Sequence, residues 1–249
     1  MITVSMPRRV AALGLALSLT ACASSDQVAT DPADPYEATN RTFHEFNVTL
    51  DENVLRPVAQ GYDVVAVGPV KLMIGNGLNH LRLPVHFVNY ALQGDARMVG
   101  RTLSRFTLNT IVGAAGLLDP ATEFGLPLEP TDFGVTLGKY GVESGPYLVL
   151  PLLGPSSPRD LGGTVVDMAF SPTTYFGFVD AIPAGTGVGV FTLDRVDARA
   201  QNADLIDELL YESADSYVTL RSVYLQRRAA QIGGDDAGGV PDIFDDETQ

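Results

Sequence analysis

The chain has 249 residues, of which 45% are hydrophobic and 18% charged, and its formal net charge is −14 at pH 7. Such an acidic chain excludes nucleic acid as a partner, because phosphate contacts require a basic surface. The single cysteine excludes a disulfide within the chain. After this cysteine, no uninterrupted apolar run reaches the roughly 18 residues typical of a transmembrane helix.

The N-terminus carries the pattern of a bacterial lipoprotein signal. A basic pair at 8–9 precedes an apolar stretch at 10–19, which has the length of a secretory signal. The motif LTAC (19–22) has a leucine three positions before the cysteine and small residues between them. This pattern predicts cleavage before Cys22 and lipidation of its side chain, and Ala23 favours sorting to the outer membrane. The alternative is an incidental cysteine after an ordinary export signal.

Composition divides the chain into four parts. Residues 1–21 are predicted to be the signal peptide, and residues 22–35 a lipidated N-terminus with a flexible tether of small and polar residues. One domain is expected from 36 to 232. Residues 233–249 are rich in glycine and acidic residues and contain no basic residue, which is typical of a disordered tail. A docking peptide is the alternative for this tail.

Apolar residues recur at helical spacing through much of 36–232, which predicts a mainly α fold. The first helix is expected to follow Asp34-Pro35 and to end before Arg56-Pro57, since a proline disfavours helical geometry in the residue that precedes it. Pro69 and Pro84 are expected to open two further, separate helices, because proline fits the first turn of a helix.

Three more helices and an irregular region are predicted in the rest of the domain. The clearest helix begins at Asp95, a favourable N-cap residue. Two others are expected at about 190–211 and 216–232. From 113 to 189, glycine and proline interrupt the apolar pattern. This middle is predicted to be irregular, with room for a short strand or hairpin near 146–155.

Six blocks of the domain have a distinctive sequence and a fixed order. They are DPYEATNRTFHEFN (34–47), RPVAQGY (56–62), VNYALQGD (88–95), RFTLNTIVGAAGLLDPA (105–121), TDFGVTLGKYGVESGPYLVLPLLGPSSPRDLGG (131–163) and SYVTLRSVYLQRR (216–228). Together they resemble the MlaA (VacJ) family of outer-membrane lipoproteins over essentially the whole domain. The lipoprotein signal is independent of these blocks and agrees with them.

The resemblance implies a fold and a function. The fold would be a mostly helical, ring-shaped protein that lies in the outer membrane beside a trimeric porin. Combined with the pattern of the residues, this predicts a single-domain ring of amphipathic helices with an irregular Gly/Pro-rich middle, anchored in the outer membrane and facing the periplasm. The function would be a passive channel that removes mislocalised phospholipids from the outer leaflet. These lipids would pass to a periplasmic lipid-carrier protein of the Mla pathway. The resemblance implies no cofactor and no chemistry on the lipid.

A phospholipid has an anionic head and apolar tails, so its passage needs a cationic wall and an apolar wall. Arg97, Arg101 and Arg105 recur at every fourth residue and are candidate contacts for the head-group phosphate, which guanidinium groups bind through two hydrogen bonds. The alternative is a solvated face, or pairing of these arginines with some of the many acidic residues.

Five apolar residues are candidates for the pore or for a membrane-facing surface. They are Phe43, Phe46, Met98, Leu103 and Phe106. Core packing is the alternative for all five.

Enzyme motifs and metal-site spacings are not found in the sequence. It has no G-x-S-x-G, H-E-x-x-H, Walker A or G-x-G-x-x-G motif, and the spacing of His44, His80 and His86 fits no zinc site. The prediction is therefore a protein that is not an enzyme and holds neither metal nor cofactor. Two other classes remain open: a scaffolding envelope lipoprotein that does not transport lipid, and a lipid carrier with a closed cavity.

Overall fold

Helices dominate the part of the chain that the computed structural model describes, residues 34–176 and 185–233. These residues form a single, mainly α domain with one short antiparallel hairpin, which confirms the predicted fold class. The signal peptide, Cys22, most of the tether and nearly all of the acidic tail lie outside the described residues. Their limits and the lipidation stay predictions.

The first helical segment runs through the proline that is predicted to end it. Helix α1 (Glu37–Leu50) continues into a π-helical turn, π1 (Asp51–Leu55), and then into α2 (Arg56–Val65). The prediction of a break before Arg56 is therefore wrong. The wider turn accommodates Pro57, which has no N–H to donate and would clash with the preceding turn of a regular α-helix.

The longest helix, α3 (Pro69–Leu92), also contains a proline in its interior. Pro69 opens it as predicted, but Pro84 does not begin a separate helix, so that prediction is wrong. Helix α3 packs against helices on several sides, and two of its leucines, Leu78 and Leu83, are buried. This packing outweighs the hydrogen bond that Pro84 removes.

Helix α4 (Ala96–Ile111) begins where the sequence predicts. The carboxylate of Asp95 accepts a hydrogen bond from the backbone N–H of Met98 at 3.0 Å, as an N-cap residue should. Consecutive turns at residues 112–117 then lead to the one-turn helix α5 (Pro120–Glu123), which the side chain of Asp119 caps. These turns hold α4 and α5 in contact.

The Gly/Pro-rich middle is more ordered than predicted. The predicted hairpin is present as β1 (Leu148–Leu150) and β2 (Gly154–Ser156), but three helices precede or follow it in the sequence. They are α6 (Phe133–Lys139), α7 (Pro158–Phe170) and α8 (Pro172–Tyr175).

The glycines of this middle region allow two helices to approach closely. A Cβ atom added to Gly163 of α7 would lie 2.4 Å from the backbone nitrogen of Gly134 in α6. Only glycine fits such a contact. The prediction of an irregular middle is therefore wrong for α6 and α7, because their glycines reflect close packing and not loop structure.

The C-terminal part of the domain is helical, as predicted, but more segmented. Helix α9 (Thr186–Gln201) is followed by α10 (Ala203–Asp207) and a second π-helical turn, π2 (Glu208–Glu212). The last helix, α11 (Ser216–Ile232), has the predicted bounds, and the side chain of Asp215 caps it.

Contacts between these elements close a circuit. Helix α11 contacts α6, α6 contacts α3, α3 contacts α9, and α9 contacts α2. Through π1 the circuit continues to α1, then to β1 and β2, and from β2 back to α11. A closed circuit is the connectivity that a ring requires, whereas the open channel through it stays a prediction. Within the described ranges no helix is long and apolar enough to cross a membrane.

Candidate functional site

A cavity of about 290 Å³ lies between the N-terminal and C-terminal parts of the circuit. Side chains from α1, π1, the hairpin, α9, α10, π2 and α11 line it, and most of them are apolar. The polar members of the lining are His44, Asn47, Asp51, Arg195 and Arg199. The cavity therefore combines an apolar wall with a few defined polar groups, as ligand-binding cavities commonly do.

One side of the cavity is closed by a buried charge cluster. The guanidinium of Arg199, which is 3% exposed, donates to both carboxylate oxygens of Asp51, with Nε at 2.9 Å from Oδ1, and also to Asp207. Arg56 donates to Asp207 at 2.5 Å, and the hydroxyl of Tyr211 donates to Asp51 at 2.7 Å. The cluster contains two arginines and two aspartates, so it contributes no net charge.

The protonation of this cluster follows from its hydrogen bonds. Burial lowers the pKa of Arg199, but the hydrogen bonds to Asp51 and Asp207 outweigh burial and raise it above its ordinary value. Burial and the hydrogen bond to Asp51 raise the pKa of Tyr211 to about 12. Both side chains therefore stay protonated at pH 7. The charge of Arg199 is balanced by its hydrogen-bonded partners Asp51 and Asp207.

The hairpin supplies the rim of the cavity. The amide of Asn47 in α1 donates to the carbonyl oxygen of Leu150 at 2.9 Å and accepts from the backbone N–H of Leu152 at 2.8 Å. Leu152 has a φ of 67°, which is unusual for a residue with a side chain. Asn47 thus holds the turn so that Leu152 and Leu153 line the cavity, although both remain exposed.

His44 contributes a neutral group to the lining. Its Nε2 lies 2.8 Å from the hydroxyl oxygen of Ser216, and its ring packs edge-on against Tyr217. Burial lowers the pKa of His44 below its ordinary value. His44 is therefore uncharged at pH 7 and adds nothing to the charge of the cavity.

Arg195 is the remaining charged residue of the lining, and it is exposed. Its guanidinium lies 5.1 Å from the centre of the Phe191 ring. In the part of the chain that the structure describes, no carboxylate lies within salt-bridge distance of it. The charges of Asp51 and Arg199 cancel, so Arg195 gives the lining a net positive charge.

Comparison with known proteins identifies the family. The family model described as MlaA lipoprotein matches residues 32–231. The chain belongs to the MlaA lipoprotein family. It is 37% identical to the intermembrane phospholipid transport system lipoprotein MlaA of Shigella flexneri, over 89% of this chain and 88% of that protein. The same identity and coverage hold for the protein of that name from Escherichia coli K12.

A solved structure supports the same assignment. Its description concerns the structural basis for maintenance of bacterial outer membrane lipid asymmetry. Its TM-score with this chain is 0.71, at 34% sequence identity. The match covers 80% of this chain and 98% of that chain. The resemblance inferred from the six sequence blocks is therefore confirmed.

In this MlaA-family chain, the three arginines predicted to bind head groups differ in their surroundings. Arg97 is exposed and pairs with no carboxylate of the described ranges. Arg101 pairs with Glu129. Arg105 is 4% exposed and donates to both carboxylate oxygens of Asp119, at 3.0 and 2.9 Å.

The ionised carboxylate of Asp119 is stabilised by its hydrogen bonds. Burial raises its pKa, but hydrogen bonds from Thr122, Asn109 and Arg105 outweigh burial and hold the pKa below its ordinary value.

None of the three predicted arginines lines the 290 Å³ cavity. Their role in head-group binding stays a prediction.

The five predicted apolar residues also lie outside the lining of this cavity. Phe43 packs against a buried cluster of Tyr147, Val149 and Tyr217, and Met98 is buried. Phe46 is half exposed. Leu103 and Phe106 are exposed and line a second, entirely apolar cavity of about 250 Å³ between α3 and α4. Their membrane-facing role stays a prediction.

Sequence reasoning missed Arg195, although a signal was available. Phe191, Arg195 and Arg199 recur at every fourth residue of α9, the same spacing that singles out the arginines of α4. Two aspartates, Asp194 and Asp197, lie near Arg195 in the sequence and suggest local pairing.

Among residues 34–176 and 185–233, no group of three metal-ligating side chains could hold a metal ion.

Proposed function

We propose that this chain is the outer-membrane lipoprotein of an intermembrane phospholipid transport system, acylated at Cys22 and facing the periplasm. Phospholipids mislocalised in the outer leaflet pass through the domain to a periplasmic lipid-carrier protein, and a trimeric porin holds the domain in place. The chain acts passively and without catalysis. Direction is then set by the partners, because a passive route cannot fix the direction of net transport.

The cavity between α1, the hairpin and the C-terminal helices is the observation that carries this proposal. Its wall is mostly apolar and its lining has a net positive charge, in a chain whose formal net charge is −14. An anionic head group and apolar tails fit this combination. The transport systems named for the Escherichia coli and Shigella flexneri relatives handle phospholipids, which agrees with it.

The size of the cavity favours passage over storage. Its volume of about 290 Å³ lies just below the range for cavities that hold drug-sized ligands, roughly 300–1,000 Å³. A phospholipid with two acyl chains is larger than such ligands, so the cavity encloses only part of the molecule at a time. A lipid that moves through the site fits this volume better than a lipid held in a closed carrier.

The first test measures outer-leaflet phospholipid in intact cells. A deletion strain is compared with the wild type and with the deletion strain that carries the gene on a plasmid. The proposal predicts that outer-leaflet phospholipid rises on deletion and returns to the wild-type level on complementation. Unchanged outer-leaflet phospholipid, together with another envelope defect, would contradict transport and favour a scaffolding role.

A second test separates a membrane-embedded domain from a closed carrier. The chain is expressed with an ordinary export signal and with Cys22→Ser, so that no lipid anchor is attached. The proposal predicts that the protein still requires detergent for extraction from the outer membrane. Release into the periplasm as a soluble protein with bound phospholipid would instead support the closed-cavity carrier.

A further inference from the structure

Arg195 lies where the cavity meets solvent, because it is part of the lining and its side chain is exposed. It is on α9, one turn before Arg199, whose guanidinium is bound by Asp51 and Asp207. Of the two arginines that line the cavity, only Arg195 is available to a ligand.

The acidic neighbours of Arg195 in the sequence are bound elsewhere. Asp194 pairs with Arg82 of α3. Asp197 is buried and accepts hydrogen bonds from the hydroxyl of Tyr62 at 2.7 Å and from the amide of Gln201 at 2.6 Å. Neither carboxylate pairs with Arg195, so the positive charge at the mouth of the cavity is not compensated within the described ranges.

Phe191 supports the side chain of Arg195. The guanidinium carbon lies over this ring at 5.1 Å from its centre, which is within the range of a cation–π interaction. This contact uses none of the guanidinium N–H groups as hydrogen-bond donors. Two of these groups match two oxygens of a phosphate, and such bidentate hydrogen bonds are among the stronger ones in proteins.

We propose that Arg195 binds the phosphate of the phospholipid in the cavity, while the acyl chains lie against the apolar wall that includes Leu153, Leu209 and Leu220. This inference rests on the proposed function and names the ligand chemistry of the same site, a glycerophosphate diester. Arg195 thereby selects lipids that carry a phosphate over neutral lipids of the same chain length.

The binding test uses the purified full-length protein in a mild nonionic detergent. Three water-soluble probes are titrated by calorimetry: dihexanoylphosphatidylglycerol, dihexanoylglycerol without a phosphate, and inorganic phosphate. We expect the wild type to bind the phosphatidylglycerol about tenfold more tightly than the diacylglycerol, as one charge-assisted hydrogen-bonded contact in an exposed site allows. Inorganic phosphate should bind more weakly than the phospholipid, because it gains nothing from the apolar wall.

Arg195→Gln should remove the preference for phosphatidylglycerol and leave the affinity for dihexanoylglycerol unchanged. Arg195→Lys should retain part of the preference, since it keeps the charge. Arg227→Gln is the matched control: Arg227 is exposed, lies on α11 and is not part of the cavity lining.

Equal affinities of the wild type for the two lipids, or an unchanged preference in Arg195→Gln, would overturn the proposal. Equal binding of inorganic phosphate and phospholipid would show an anion site without lipid recognition, and would overturn it as well.

A complementation test separates this inference from the proposed function. In the deletion strain, plasmids with the wild-type gene and Arg227→Gln should both restore low outer-leaflet phospholipid, whereas Arg195→Gln should restore it less. If the wild-type plasmid restores the phenotype and Arg195→Gln does so equally, the role of Arg195 is refuted and transport stands. If deletion has no effect on outer-leaflet phospholipid, the proposed function itself fails.

Discussion

Helices α4 and α9 each carry arginines at every fourth residue, yet the surroundings of these arginines differ. In α4, Arg101 and Arg105 are paired with Glu129 and Asp119. In α9, Arg199 is buried in a charge cluster, whereas Arg195 is exposed at the mouth of an apolar cavity. A periodic row of arginines therefore does not identify a binding site. The acidic groups that distant segments place beside each arginine decide which one is available.

The largest effect is expected from breaking the cluster in α9. Arg199→Met leaves Asp51, whose side chain is only 9% exposed, without its guanidinium partner. Removal of one member of a buried ion pair typically lowers the free energy of unfolding by about 3–5 kcal/mol. Chemical unfolding of the detergent-solubilised protein measures this. Asp51→Leu removes the carboxylate that Arg199→Met leaves unpaired, so the double variant Asp51→Leu/Arg199→Met should be more stable than Arg199→Met. A loss below 1 kcal/mol in the single variant would contradict the structural role.

A smaller loss is expected in α4. Arg105→Met removes the partner of Asp119, but the side chain of Asp119 is 25% exposed and keeps hydrogen bonds from Thr122 and Asn109. The free energy of unfolding should fall by about 2–3 kcal/mol, the cost of a lost hydrogen bond to a charged group. Arg97→Met is the control on the same helix and should change stability by less than about 0.5 kcal/mol. Equal losses in the two variants would contradict the difference between these arginines.

The pH dependence of stability should report on the cavity wall. Burial lowers the pKa of His44, so below about pH 6.5 the unfolded chain binds more protons than the folded one. The free energy of unfolding therefore falls as the pH drops through this region, and the contribution of His44 is fully present above it. His44→Gln should reduce the slope of the free energy of unfolding against pH by at most about 1.4 kcal/mol per pH unit. Burial also lowers the pKa of His80 and His86, so some slope should remain. An unchanged slope in His44→Gln would contradict the assignment.

The smallest effect is expected at the rim of the cavity. Leu152 adopts a left-handed backbone conformation, which is unfavourable for leucine and more favourable for asparagine. Leu152 is 63% exposed, so its replacement removes little buried apolar surface. Leu152→Asn should therefore raise the free energy of unfolding by about 0.5–1 kcal/mol. Leu153→Asn is a neighbouring control without the unusual φ, and should give no gain. A loss of stability in Leu152→Asn would indicate that the leucine makes important apolar contacts.

Local signals in the sequence predicted the parts of the fold that depend on local chemistry. The N-cap at Asp95, the helix at 216–232 and the hairpin near 146–155 are present as predicted. The prolines at 57 and 84 misled the prediction, because a π-helical turn and packing on several sides keep both inside helical segments. Neither effect can be read from the flanking residues.

The candidate site was less predictable than the fold. The cavity is built from segments that lie far apart in the chain, and the availability of Arg195 depends on contacts of Asp194 with Arg82 and of Asp197 with Tyr62. These pairs are 112 and 135 residues apart in sequence. Spacing within one helix carries no information about such contacts. The family resemblance identified the function class but did not locate this site.

Passage of lipid through the 290 Å³ cavity is tested most directly by blocking the cavity with a bulky side chain. Ala198 is exposed on α9 and lines the cavity, whereas Ala230 is exposed on α11 and does not. The chain has no tryptophan, so Ala198→Trp and Ala230→Trp each introduce a single indole whose fluorescence reports its environment. At equal protein levels in the deletion strain, outer-leaflet phospholipid should approach the level of the empty deletion strain with Ala198→Trp and the wild-type level with Ala230→Trp. Wild-type levels with Ala198→Trp, whose blue-shifted emission shows the indole inside the cavity, would contradict passage through this site.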